Sequence, residues 1–370
     1  MSFLIIINYI YINFLFQMKK EKIISFPLKV FSFIIIIFIA FRYEVGGDWG
    51  TYKINYDIMG QAGLFDGLKS YTSKFPILIV YFTKNFNVFT ETVILGLIFS
   101  FFYIRYLFST KLFFLSLFIT FPVFVVLAGM GYVHQGVSII ISWQILINYN
   151  QKSVKEIIGY VIIASFVHLS ALFFLFFLIP KFILQENLLS TFKATINKHF
   201  PTVIAVLVFL YILRIYPVES IYLDLYEKFN SYLFSDYYKS YGTIIRAFLF
   251  IPSAYIFFKI DLDFFKKKIN LQSVYLIKTT AFVMLIIALL SILSKGSLLF
   301  AFVDRLYICL IFLQVMIANL YYEQYKLKDH IIVDLLIYLM PLGYLFLWVN
   351  FSKYAPWWVP YNNILFFQSQ

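Results

Sequence analysis

The stretch Leu112–Asn148, LFFLSLFITFPVFVVLAGMGYVHQGVSIIISWQILIN, decides the fold class. It holds no Lys, Arg, Asp or Glu, and charge returns only at its flanks, Lys111 before it and Lys152 after it. A membrane-spanning helix needs about 20 apolar residues. The stretch is long enough for two such helices, and Gly129-Met130-Gly131 offers the turn between Leu112–Ala128 and Gly136–Asn148. His134 then lies at that turn, on the face opposite the lysines.

The rest of the chain repeats this pattern. Of 370 residues, 62% are hydrophobic, 22% aromatic and 13% charged, against about a quarter charged in an ordinary soluble domain. No segment is left for a separate water-soluble domain, so residues 1–370 read as a single integral membrane domain. A soluble enzyme, a secreted disulfide scaffold and a disordered regulator are excluded. Cys309 is the only cysteine, which rules out an intrachain disulfide. The net charge of +12 reflects basic cytoplasmic loops, not nucleic acid.

Lys and Arg orient the spans. Met1–Gln17 lacks the basic start and small-residue cleavage site of a signal peptide and reads as a retained first span. Lys19, Lys20 and Lys22 place the next loop inside, so Ile23–Phe41 runs outward. Residues 42–89 form a first outer loop, in which the short apolar patch Phe75–Phe82 suggests an interfacial helix. Thr90–Ile104 returns to Arg105. Ile157–Pro180 breaks the alternation, because lysines on both sides look cytoplasmic. Either two half-helices meet near His168-Leu169-Ser170 without crossing, or this is one ordinary crossing with a misread loop. Pro201–Ile215, a second outer loop at 216–241, Thr243–Phe258, Leu271–Ser294, Leu298–Tyr322 and Leu335–Phe351 follow, and 352–370 is an outer tail. The expected fold is an all-α polytopic bundle of about 10–12 transmembrane segments with two larger periplasmic loops.

Ionisable groups gather on the outer side. Arg42, His134, Arg214, Arg246 and Arg305 all fall at or near that surface. Arg305 enters an apolar run, where an arginine is costly unless it meets a cavity or an anion, although a structural pair is the plainer reading. Planar guanidinium groups bind phosphate oxygens in bidentate fashion, which suits a lipid-linked pyrophosphate. The Gly-rich segment Arg42–Tyr52 can turn tightly enough to bring Glu44 and Asp48 toward Arg42, as a functional cluster or as a structural clamp. A carboxylate there, or His168, is a candidate general base. Trp358 and its aromatic neighbours can stack on sugar rings or serve as an interfacial belt. His134, His168, His199 and His330 have no metal-ligand spacing, and no nucleotide-binding glycine pattern is present.

At these residues the sequence resembles the EpsG-like branch of polysaccharide polymerases, the group that includes many Wzy O-antigen polymerases. Members carry Arg, Val-Gly, Asp and Tyr after the second span, seen here at Arg42, Val45 and Gly46, with the carboxylate and the tyrosine displaced by one residue at Asp48 and Tyr52. An Arg-Gln pair is represented by His134-Gln135, a departure. His-x-Ser-Ala appears at His168, Ser170 and Ala171, Arg and Tyr of a late span at Arg305 and Tyr307, and a terminal Pro-Tyr at Pro360-Tyr361. The resemblance implies an inner-membrane glycosyltransferase that joins undecaprenyl-pyrophosphate-linked oligosaccharide units at the periplasmic face, without metal or other cofactor. Its partners would be the lipid-linked donor and acceptor, membrane lipids, a chain-length regulator and a flippase. It implies catalytic roles for Asp48, His168 and Arg305. Substrate-binding roles fall to Arg42, Glu44, His134, Gln135, Arg246, Tyr307, Trp358 and Tyr361. An O-antigen ligase and a non-enzymatic flippase or transporter are the rival readings.

Overall fold

In the computed structural model the described residues are 21–61, 63–70, 74–183, 226, 271–293, 299–324, 331–352 and 355–365. Among them the secondary structure is helical, apart from one isolated β-bridge between Arg42 and Asn363. Met1–Gln17, Pro201–Ile215, the loop at 216–241, Thr243–Phe258, Arg214 and Arg246 lie outside the described residues, residue 226 excepted.

The Leu112–Asn148 stretch forms the centre. It folds as a helix Phe113–Thr120 that widens into a π-helix Phe121–Gly131, followed after Tyr132 by a helix Val133–Trp143. The window within Phe113–Gly131 is 94% buried, against 44% for the helix Val88–Ser109, so the first is central and the second peripheral. These two and Arg305–Tyr322 are long and apolar enough to cross a membrane. Trp143 locks the centre: its ring stacks on Phe124 at 4.1 Å and its indole N–H donates to the Cys309 carbonyl at 3.1 Å. That oxygen is free because it falls one residue before the end of its helix, where carbonyls lose their intrahelical donors.

In chain order the helices are α1 (Glu21–Ala40), α2 (Trp49–Gln61), α3 (Leu64–Ser70), α4 (Lys74–Thr83), α5 (Val88–Ser109), α6 (Phe113–Thr120), α7 (Val133–Trp143) and α8 (Val154–Val167). A 3-10 helix Leu169–Leu178 and α9 (Ile179–Ile183) follow, then α10 (Leu271–Leu293), α11 (Leu299–Leu310), α12 (Phe312–Gln324) and α13 (Ile331–Phe351). The expected apolar patch in the first outer segment is α4. The polar stretch before it, read as loop, is helical from Trp49. Its helices are held by a satellite core of Tyr56, Met59, Leu68, Ile77 and Val80. Burying these five side chains supplies what the weakly amphipathic sequence concealed.

Ile157–Pro180 is broken at His168, where the backbone is extended (φ −159°, ψ 133°). A capping box of Ser153 and Glu156 starts α8, and His168 caps the second arm by accepting from the Ser170 amide. The first arm is about 21 Å long at ~1.5 Å per residue, shorter than the hydrocarbon core of about 30 Å, and the second runs from the 3-10 helix straight on into α9. They fold back on each other. The Lys181 ammonium donates to the Asn150 carbonyl at 3.2 Å and Tyr149 donates to the Phe177 carbonyl, so the end of the second arm lies beside the start of the first.

The C-terminal tail closes the opposite end. Tyr43 N–H donates to Asn362 O at 3.0 Å, Ile364 N–H to Phe41 O at 3.0 Å, and Gly46 N–H to Trp357 O at 2.8 Å. Gly46 has φ +113°, and a Cβ there would stand 2.4 Å from Met130 O. Only glycine meets both demands. Gly131 is needed for closeness instead: a Cβ would meet the Trp358 indole at 2.3 Å.

Candidate functional site

The segment after α1 begins with an arginine whose task is to end a helix. Arg42 is fully buried, its Nη1 donates to Ile39 O at 2.6 Å and its Nε to Met130 O at 3.0 Å. The first bond serves an orphan carbonyl at the C-terminus of α1, and the second ties that end to the π-helix. Burial pushes the guanidinium down to about 10, against the pull of Tyr52 and Tyr361, so it stays charged at neutral pH. The expected cluster of Arg42 with Glu44 and Asp48 does not form. Main-chain oxygens have taken two of the guanidinium nitrogens, Nη2 is buried with no partner among the described residues, and Glu44 is exposed at φ +53°.

Asp48 immediately precedes α2, and Tyr52, one helical turn on, points its hydroxyl back at Asp48 Oδ2 at 3.4 Å. The Tyr52 and His134 rings lie 4.6 Å apart at 37°. His134 Nε2 is 3.0 Å from Glu91 Oε1, and Glu91 is buried in the first turn of α5, where the helix dipole favours a carboxylate. Arg305 comes in from α11: its Nη1 donates to Gln135 Oε1 at 3.3 Å and its guanidinium stands 5.2 Å from the centroid of Tyr132.

Asp48, Tyr52, Glu91, His134, Gln135 and Arg305 therefore meet at the start of α7. Burial raises the Asp48 carboxyl above its ordinary value, while the charges of Arg305 and His134 and the Tyr52 hydroxyl pull it down. The Tyr52 phenol is raised well above its ordinary value, chiefly by burial, so it remains a proton donor. A carboxylate with heightened proton affinity beside a guanidinium can take a proton from a nucleophile while the cation holds an anionic leaving group.

His168 is at the tip of the α8 hairpin, next to this cluster: its carbonyl accepts from Ser138 Oγ at 2.9 Å, one turn along α7 from His134 and Gln135. Its Nδ1 faces the Ser170 amide at 3.2 Å and hydroxyl at 2.9 Å, so that nitrogen caps the second arm. The other sequence candidates serve packing. Tyr307 is buried in the core. Trp358 is 1% exposed and donates to Val126 O at 3.0 Å, so its faces are closed to a sugar, while Trp357 is 51% exposed. Tyr361 stacks on Phe38 and donates to the Phe38 carbonyl.

Glu91 and Tyr132 escape the sequence reading. Glu91 was legible in principle, since it is the lone carboxylate in the apolar run after Asn87, where an ionisable group is costly. Tyr132 is one of 30 tyrosines and carries no comparable signal.

Compared with known families, the chain matches the EpsG family over residues 25–363. No curated protein and no solved structure matches it.

Proposed function

The chain belongs to the EpsG family, and from that premise we propose that it is a membrane glycosyltransferase that polymerises lipid-linked oligosaccharide units into O-antigen or a related surface polysaccharide. The observation that carries this reading is the gathering at the start of α7 of Asp48, from the first outer segment, through Tyr52 and His134, and of Arg305, from a late apolar helix, through Gln135. Family membership supports the polymerase class. The chemistry of the pair supports a pyrophosphate leaving group.

The growing chain is attached through its anomeric carbon to undecaprenyl pyrophosphate. A hydroxyl of the fresh unit's non-reducing sugar attacks that carbon and gives its proton to Asp48. The bond from carbon to the pyrophosphate oxygen breaks, its electron pair leaves with the pyrophosphate, and Arg305 stabilises the charge. Gln135 and Tyr132 hold Arg305, and Arg42 holds the segment that carries Asp48.

The site faces the periplasm of the bacterial inner membrane in this reading. Lys152, Lys155 and Lys181 gather at the end where the α8 hairpin opens, which the positive-inside rule assigns to the cytoplasm, and His168 at the tip then lies toward the outer face. The hairpin is re-entrant, and ten full crossings accompany it. The whole chain is one membrane domain.

A surface-polysaccharide gel from a strain lacking the gene, with plasmid complementation, tests the function. A single attached repeat unit in place of a ladder is expected. Long lipid-linked polymer with no attached units would mean a ligase, and loss of attached and periplasmic units together would mean a flippase. Within the polymerase, Arg305→Lys keeps the charge but loses the planar fork, and polymerisation in membrane vesicles is expected to fall by roughly tenfold to a hundredfold with unchanged protein in the membrane. Full activity in that variant would remove Arg305 from the mechanism.

A further inference from the structure

The segment before Asp48 is tied to the C-terminal tail on both sides of Glu44. Tyr43 N–H donates to the Asn362 carbonyl at 3.0 Å and Gly46 N–H to the Trp357 carbonyl at 2.8 Å. The Trp357 ring then lies against Gly47: a Cβ on that glycine would stand 3.1 Å from Trp357 Cε3 and 3.4 Å from Cζ3. The next residue is Asp48, which is part-exposed. Among the aromatic side chains of the described tail, Trp358 is enclosed between Gly47 and Gly131 and Tyr361 is stacked on Phe38, but Trp357 keeps 51% of its surface open. Its position is fixed from behind: it ends the 3-10 helix Ala355–Trp357, Ala355 is buried, and the neighbouring Trp358 indole is bonded to Val126 O at 3.0 Å. A large ring, half open and held still, therefore stands one residue from the proposed base.

A sugar ring presents C–H groups on its face and hydroxyls around its edge. The C–H face packs on the electron-rich face of an aromatic ring, and the hydroxyls need hydrogen-bonding groups close by. Glu44 supplies such a group. It is exposed, and its backbone is held between the two ties at φ +53°, a conformation that residues other than glycine rarely adopt. A lipid tail has no use for that carboxylate, whereas a sugar uses both it and the ring. We propose that Trp357 is the platform on which the acceptor's non-reducing sugar stacks, with its attacking hydroxyl toward Asp48 and Glu44 accepting from hydroxyls at the sugar's edge. This rests on the polymerase reading above. Consecutive Cα atoms are about 3.8 Å apart, so one sugar can lie on the ring beside Gly47 and still meet the next residue. Trp357 touches no reacting atom and acts through binding.

The test is equilibrium binding of radiolabelled lipid-linked repeat units, extracted from a strain lacking the gene, to the full-length protein in lipid nanodiscs, set beside polymerisation in membrane vesicles. Trp357→Ala is expected to weaken binding by about 5- to 30-fold and to raise KM for the repeat unit by a similar factor, with kcat changed far less, because the ring holds ground state and transition state alike. Undecaprenyl pyrophosphate without sugars should bind wild type and Trp357→Ala equally. Trp357→Phe keeps an aromatic face and should recover most of the affinity, whereas Trp357→Leu, apolar but without that face, should not. An unchanged Kd in Trp357→Ala, an equal loss for the sugar-free lipid, or recovery by Leu as good as by Phe overturns the platform and makes the ring an interfacial anchor. Wild-type protein that binds no repeat unit overturns it too. Wild-type protein that binds repeat units yet makes no polymer overturns the polymerase reading alone, and the same Kd series then decides whether Trp357 holds a sugar.

Discussion

Asp48→Asn is expected to lower polymerisation by about 10²- to 10⁴-fold, the range lost when a general base is removed, while protein in the membrane stays at its wild-type level. Asn keeps the volume, and the Tyr52 hydroxyl can still donate to the side-chain oxygen, so the packing around α2 survives. The pH profile identifies the group. Burial raises the Asp48 carboxyl, so its base form is lost as pH falls through a value above that of an ordinary aspartate. The acid limb of the wild-type rate should therefore lie above the usual position for an aspartate. Arg305 pulls that value down, so Arg305→Gln should move the acid limb to still higher pH as well as slow the reaction. A limb that stays in place in that variant would separate Asp48 from Arg305. Near-normal polymerisation by Asp48→Asn would remove it as the base.

The break at His168 could be seen in the sequence because it follows from charge parity, a property that survives ignorance of every contact. Lysines flank Ile157–Pro180 on both sides, and a turn near His168 was one of the two ways to accommodate them, the other being an ordinary crossing. The helix α2 was not visible in this way. Its sequence has little apolar periodicity, and its stability comes from Tyr56 and Met59 meeting Leu68, Ile77 and Val80 of later helices, which no local pattern records. The site divides along the same line. Asp48 and Arg305 were identifiable one at a time, as costly or Gly-flanked charges near an outer surface. Their meeting depends on how α2, α7 and α11 pack. Glu91 shows the converse, a legible charge whose partner, His134, was the unexpected one.

Two arginines that look alike in sequence separate sharply in structure, and the second large effect exploits this. Arg42→Ala is expected to cost about 3–5 kcal/mol of stability, because it leaves buried carbonyls of Ile39 and Met130 without their donors and opens a cavity where the guanidinium lay. That cost reaches the site indirectly. Arg42 joins the end of α1 to the π-helix, and the next residues pair with the C-terminal tail, so the segment that delivers Asp48 loses its anchor. Arg42→Lys should be intermediate, since one ammonium cannot reproduce the Nε and Nη1 pair that spans two carbonyls. The measurement is the amount of folded protein in the membrane and its thermal aggregation midpoint, set beside polymerisation per molecule. For Arg42 variants the amount and midpoint should fall first and activity per surviving molecule less. For Arg305→Lys the order reverses, with full amount and low activity. An Arg42→Ala protein that is abundant and heat-stable yet inactive would move Arg42 from clamp to ligand, and would require its orphan Nη2 to reach the pyrophosphate that the closed packing around it now excludes.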